Sequence, residues 1–243
     1  MPRVIDNVFG KNAALALAAH RPKAIHRVLY GATAKAWVGP LLAAAGKNNA
    51  PFREVSDEAL ARAAGTVHHE GVAVEADPLP IGRLASLLPA PKQAVIMALD
   101  DVGNPHNLGA ILRSAAYFGA HGVIVPTTDR QAMVSPSAMR VAQGGAEVVP
   151  VVGVERLDVA LRRLAREGFT VVAADVHGGE PLSVLATPVC IVLGNEGEGL
   201  QANVLAACTK RVNIPGSGDV ESLNVSVAAG ILLAAARLGR AGA

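Results

Sequence analysis

Aromatic side chains are scarce in this 243-residue chain: one Trp, two Tyr and four Phe, 3% of the total. Half of the residues are nevertheless hydrophobic, so the core has to be built from Ala, Val and Leu. Cysteine is equally rare. Cys190 and Cys208 make neither a metal set nor a disulfide framework, and Cys190 lies inside an apolar run where it is expected to be buried and reduced. No apolar run is long enough to span a bilayer. The longest, residues 223–238, is interrupted by Ser226 and Arg237 and falls short of the required ~18–20 residues. The chain start also lacks the basic, apolar and small-residue layout of a secretory leader, so a soluble cytoplasmic protein is expected. Two nucleotide signatures are missing as well. There is no GxxxxGK[ST], which weighs against an ATPase. GxGxxG does not follow the first strand of the second half, which weighs against a dinucleotide oxidoreductase. His68 and His69 are adjacent, but no third ligand has suitable spacing. No metal site is expected there, and a turn or an RNA-facing surface fits better.

Charge is nearly balanced overall, at +2, but unevenly spread. Residues 1–55 carry eight Lys/Arg (Arg3, Lys11, Arg21, Lys23, Arg27, Lys35, Lys47, Arg53) against Asp6 and Glu54, a net +6. The rest carries 14 basic and 18 acidic residues, a net −4. A basic lobe on an acidic body suits a polyanion such as nucleic acid, although an ordinary solvated surface has the same composition.

Strand-like and helix-like stretches alternate throughout, which predicts an α/β fold. Helices are expected over 9–19, 33–45 (stopping at Gly46) and from a Ser56 cap to Gly65. Strands are expected over 27–30, 52–55 and 71–76. Together these make a lobe of residues 1–76. Residues 77–92 hold Pro78, Pro80, Pro89 and Pro91 and read as a linker, with a possible helical turn over 81–88. The second domain, 93–243, opens with an apolar strand (94–99). A polar loop, a helix (108–118), a strand (123–125), a helix (135–142), a strand (147–151) and an amphipathic helix (156–167) follow. The runs 169–173 and 189–193 are near-continuously apolar, as in a parallel sheet covered on both faces.

Three polar loops then fall at strand carboxyl ends, where open α/β sheets bind ligands. The last is the most informative. After a strand at 211–214 the chain breaks at Pro215, passes Gly216 and Gly218, and sets Ser222 and Asn224 at the threshold of an apolar helix. A helix cap explains one of those two polar residues, not both. Gly194-Asn195-Glu196-Gly197-Glu198-Gly199 has the same character after strand 189–193, and the two loops read as two walls of a ligand site. In the first loop Asn107 is expected at a helix start, with Arg113 two turns in on an otherwise apolar helix. Arg is rarely buried unpaired, so Arg113 is either functional or held in an ion pair, with Glu196 as the candidate partner.

Three segments together, NLGAILRS (107–114), IVLGNEGEGL (191–200) and NIPGSGDVESLNVSVAA (213–229), resemble the three motifs of the SpoU (TrmH-type) RNA 2′-O-ribose methyltransferases of the SPOUT class. Order and spacing match over about 150 residues. One departure is Gly216, where relatives often carry Met after the Ile-Pro pair. The N-terminal lobe resembles the family's L30e/L7Ae-like RNA-binding domain. The resemblance implies a trefoil-knotted methyltransferase domain, S-adenosylmethionine (AdoMet) as methyl donor, no metal, RNA as partner and a homodimer with the site at its interface. It implies cofactor contacts from Gly194, Ile214 and Leu223, with Leu193, Asn195, Gly197 and Pro215 nearby. It also implies catalytic roles for Arg113, Asn107, Glu196, Ser222 and Asn224. A guanosine of 23S rRNA is the implied target. A tRNA ribose, or a non-catalytic RNA-binding or assembly role, is the alternative.

Overall fold

The computed structural model describes residues 4–240. In chain order the elements are β1 (Asp6–Phe9), α1 (Lys11–His20), β2 (Ile25–Tyr30), α2 (Gly39–Lys47), β3 (Phe52–Glu54), α3 (Asp57–Ala64), β4 (Val72–Ala76), β5 (Val95–Leu99), α4 (Pro105–Tyr117), β6 (Gly122–Pro126), α5 (Pro136–Ala142), α6 (Gly145–Val148), β7 (Val151–Val154), α7 (Leu157–Arg166), β8 (Thr170–Ala174), β9 (Glu180–Pro181), β10 (Val189–Leu193), α8 (Ala202–Leu205), β11 (Lys210–Asn213) and α9 (Val225–Arg240). The chain forms two compact units, Met1–Pro80 with Val134–Val148, and Ile81–Met133 with Val149–Ala243.

The first unit is a four-stranded sheet in the order β1-β4-β2-β3, antiparallel except for the β2–β3 pair. Its α3 forms as expected: Ser56 Oγ accepts from Ala59 N at 3.4 Å and Gly65 closes the helix. Three details differ from the sequence reading. Residues 6–9, next to the expected first helix, form a strand, and Gly10 (φ 93) separates that strand from α1. The expected helix over 33–45 is a short 3-10 turn and then α2, which restarts with Pro40 in its first turn, where a missing N–H costs nothing. Gly46 lies inside α2 and does not end it. Residues 134–148 join this unit. Arg21 donates to both oxygens of Glu147, Nε to Oε2 at 2.6 Å and Nη2 to Oε1 at 2.8 Å, and the Glu147 side chain is 1% exposed. The strand expected at 147–151 is instead α6 followed by β7.

The second unit is a seven-stranded, all-parallel sheet in the order β7-β6-β5-β10-β8-β11-β9. Every residue of β5, β6 and β10 is buried, which accounts for their continuous apolar sequences. The stripe Leu157, Leu161 and Leu164 of α7 packs with Ile96, Ile124, Val171 and Cys190 in one core. Leu87, in the proline-rich stretch, packs into that same core, and Gly82 bridges to Val152. Among the described residues no helix is long and apolar enough to cross a membrane.

Candidate active site at the carboxyl edge of the parallel sheet

Because all seven strands run the same way, their carboxyl ends share one edge. The strand order decides which loops meet there. β5 and β10 are neighbours, so the loops beginning at Asp100 and Gly194 lie side by side. β8 sits between β10 and β11, so the loop after Asn213 is two strand spacings from Gly194, about 10 Å.

Side chains connect all three loops. Asn107 Nδ2 donates to Glu196 Oε1, and Asn224 Nδ2 donates to Asn107 Oδ1 at 3.1 Å. A single asparagine amide therefore uses its donor on the second motif and its acceptor on the third. Asn107 does this from inside α4, not from its cap. The cap is Asn104, whose Oδ1 accepts from His106 N at 2.9 Å, and Pro105 occupies the first turn. At the other helix, Asn224 Oδ1 accepts from Ser226 N at 2.9 Å and from Ser226 Oγ at 2.6 Å. Asn224 is thus the residue of the pair that caps. Ser222 is exposed, with no hydrogen bond among the described residues.

The Gly194–Gly199 loop is a closed bend. Asn195 and Gly199 exchange backbone hydrogen bonds of 3.0 Å each way. The Asn195 Oδ1 accepts from Gly197 N at 2.8 Å and Glu198 N at 3.2 Å, and its Nδ2 donates to the Asp101 carbonyl at 2.9 Å. Both polar atoms of the Asn195 side chain are engaged in shaping the loop. Gly194 is required by the loop itself: a Cβ there would collide with the backbone of Gly199 and meet Leu200 N at 2.6 Å. Leu193 is buried, and its carbonyl accepts from Asp100 N at 2.8 Å. Ile214 is half-buried, while Gly197, Pro215 and Leu223 are exposed.

Arg113 is exposed on α4, and its guanidinium makes no ion pair or hydrogen bond among the described residues. The ion pair with Glu196 that offered a structural explanation is not formed, because Glu196 faces Asn107. Six residues of helix rotate by about 600°, which separates Arg113 from Asn107 by about 120° around α4. Arg113 shares its stripe with Tyr117, four residues on and 84% exposed.

Two further groups border the site and escaped the sequence reading. The loop after β8, Asp175 to Gly179, stands between the second and third motifs. Asp175 N donates to the Val212 carbonyl at 2.9 Å, and a Cβ on Gly179 would lie 2.6 Å from the Arg211 carbonyl carbon. Its signal was present, glycines at the end of an apolar strand. The second group is Asp101 with Arg130, whose Nε lies 3.4 Å from Asp101 Oδ2 and whose Nη2 contacts Glu198. With Asn195, Gly199, Leu200 and Gln201 these residues line a small cavity of ≈ 130 Å³. Burial raises the Asp100 carboxyl above its usual range, opposed by the hydrogen bond from Gln201 N. No cluster of three His, Cys, Asp or Glu side chains suited to a metal ion occurs among the described residues. His69 is buried, its Nδ1 accepting from Gly71 N at 3.1 Å, and His68 is exposed.

Comparison with known proteins agrees with this architecture. A model described as the SpoU rRNA Methylase family matches residues 94–234, and one described as RNA 2′-O ribose methyltransferase substrate binding matches residues 7–81. An uncharacterized tRNA/rRNA methyltransferase of Mycobacterium ulcerans (strain Agy99) is 36% identical over 236 residues, covering 94% of this chain and 76% of the relative. Among solved structures, the SpoU methyltransferase AviRb from Streptomyces viridochromogenes in complex with AdoMet superposes with a TM-score of 0.80. It is 25% identical, with 98% of this chain and 92% of that one covered. A putative RNA methyltransferase of the TrmH family from Porphyromonas gingivalis gives 0.76 at 27% identity, covering 96% and 90%. With a family-model match over more than half of its length and a 36% identical relative aligned over 94% of the chain, this chain belongs to the SpoU rRNA methylase family.

Proposed function

We propose that the protein transfers a methyl group from AdoMet to a ribose 2′-hydroxyl of structured RNA, with a guanosine of 23S rRNA as the favoured target. The observation that carries the reading is the hydrogen-bonded chain Glu196–Asn107–Asn224, which draws three polar loops together at the edge where parallel sheets take ligands. The residues present fit an adenosyl group. Half-buried Ile214 and 49%-exposed Leu223 offer apolar surface, and the bend after Pro215 is open, since a Cβ at Gly216 or Gly218 would meet nothing within 4 Å. The sulfonium supplies an electrophilic methyl when bound.

The chain's own residues then have to hold the ribose in line while the oxygen–methyl bond forms, the carbon–sulfur bond breaks to leave the neutral thioether, and the hydroxyl proton passes to solvent water at this exposed edge. Positioning of this kind is worth up to about 7–11 kcal/mol. A guanidinium stays protonated in proteins, so Arg113 is assigned to gripping a phosphate and steadying the developing alkoxide, not to removing the proton. Glu196, Asn107, Asn224 and Ser222 orient the ribose and the loops. Gly194, Leu193, Asn195, Gly197 and Pro215 join Ile214 and Leu223 as the cofactor set, their contribution coming from backbone where the side chain is buried or engaged. The reading assigns residues 1–76 to RNA binding and 93–243 to methyl transfer. It carries with it the trefoil knot of the resemblance and a homodimer. Support for the dimer comes from Val227, Ile231 and Leu238, an exposed apolar stripe on α9, and from Tyr117 on α4, against which α9 packs.

A calorimetric titration with AdoMet, followed by methyl transfer to purified rRNA and tRNA, tests the reading. Near-stoichiometric AdoMet binding with transfer to rRNA supports it. Transfer to tRNA alone moves the target to the alternative. RNA binding without AdoMet binding replaces it with a non-catalytic role.

A further inference from the structure

The sequence motifs account for the Gly194–Gly199 loop but not for what holds it. Directly beneath lie two consecutive buried carboxylates, Asp100 and Asp101, which are 1% and 3% exposed. We infer that Asp100 and Asp101, acting through Gln201, are positioning residues that fix the Gly194–Gly199 loop in its cofactor-binding shape. The inference rests on the proposed function for the identity of the cofactor, and on geometry for the rest.

The dipeptide grips the loop at both ends. At its start, Asp100 N donates to the Leu193 carbonyl at 2.8 Å and the Asp101 carbonyl accepts from Asn195 Nδ2 at 2.9 Å. At its exit, Gln201 N donates to Asp100 Oδ2 at 2.7 Å. The Gln201 amide Nε2 then spans both carboxylates, 3.1 Å from Asp100 Oδ1 and 2.9 Å from Asp101 Oδ2. The middle is held through Arg130, which joins Asp101 to Glu198. Asp101 adopts φ 56, a left-handed backbone that Asp tolerates better than most L residues.

Two adjacent buried carboxylates are costly unless each is satisfied by donors. Here the side-chain donors beyond Gln201 are Thr128 Oγ1, 3.0 Å from Asp101 Oδ1, and the half-exposed Arg130. Gln201 is therefore the side chain whose loss leaves both carboxylates short at once. Released from it, the loop exit is free to move, and Asn195 to Gly199 with it. A core packing role alone would predict apolar residues at Asp100 and Asp101. Apart from the Thr128 contact to Asp101, the side-chain hydrogen bonds of the pair go to the exit of that loop.

The test compares wild type with Gln201→Met, which keeps the side-chain length and removes the bridging amide, and with Asp100→Asn. Two readouts are taken: the AdoMet Kd by calorimetry, and hydrogen–deuterium exchange of the 195–199 amides. Both variants are expected to fold, to bind AdoMet about ten- to a hundredfold more weakly, and to exchange the loop amides faster, with the KM for RNA within about twofold of wild type. AdoMet binding within twofold of wild type, together with unchanged loop exchange in either folded variant, overturns the inference. If wild type itself does not bind AdoMet, the proposed function fails, and loop exchange alone decides the positioning role. Faster exchange upholds it and unchanged exchange overturns it.

Discussion

Asn107→Asp is the sharpest perturbation of the site. The substitution keeps the side chain's size and its acceptor for Asn224 Nδ2 but replaces the donor to Glu196 with a second carboxylate oxygen. Two like charges at ~4 Å repel by about 1 kcal/mol in water and about 4 kcal/mol at the effective dielectric of a protein surface. Glu196 is exposed and Asn107 half-buried, so the lower part of that range applies, about 1–2 kcal/mol. Spread over the whole chain this is a minor loss of stability, a fall in Tm of about 2–8 °C. At the site the consequence is larger. The carboxylates separate, the second motif loses its tie to the third, and the ribose is no longer held in line. A misplacement of about 1 Å costs on the order of 100-fold in rate. The assay is initial-rate methyl transfer with tritiated AdoMet, run beside thermal melts. Loss of turnover of about two orders of magnitude with a small change in Tm is expected. Turnover within twofold of wild type refutes the claim that this chain of side chains organises the site.

Other consequences are independent of that one. Arg113→Ala removes an exposed, unpaired cation, so Tm should stay within about 1 °C while methyl transfer falls by at least about 100-fold and AdoMet binding is retained. Gly194→Ala drives a Cβ into the backbone of Gly199 and Leu200, and should lower stability by about 1–3 kcal/mol in denaturant melts and weaken AdoMet binding together with it. Burial pushes the Cys208 thiol up to about 11 and that of Cys190 higher still. Both thiols are therefore neutral at pH 7–8, and the native protein should react with a disulfide reagent far more slowly than the protein in guanidinium.

The elements that were legible in the sequence are those whose pattern is decided locally. β8 and β10 read as buried parallel strands because their sequences are almost wholly apolar, β5 read as an apolar strand, and α7 as a helix because its leucines keep helical spacing. Ser56 identified its helix by capping chemistry alone. What escaped depends on partners distant in sequence. β1 is four residues long and adjoins an apolar helix, so its pairing with β4, about 65 residues on, was needed to reveal it. The inclusion of 134–148 in the first unit rests on partners distant in sequence, the ion pairs Arg21 with Glu147 and Arg140 with Glu70 and the packing of α5 and α6 on β1 and α1, which no periodicity announces. In the site, the three motif loops were readable from their glycines and amides. The insertion of β8 between β10 and β11, which brings the Asp175 loop into the same edge, is a property of strand order. Likewise Asp100 and Gln201 are a hundred residues apart, and only the β5–β10 pairing makes them neighbours.

The central claim is that this edge delivers a methyl group to a sugar oxygen of RNA. It is tested most directly by incubating the protein with tritiated AdoMet and deproteinised ribosomal RNA, then digesting the RNA with alkali. The account predicts label in alkali-resistant dinucleotides, the signature of a blocked 2′-hydroxyl. Label released as base-methylated mononucleotides would contradict it.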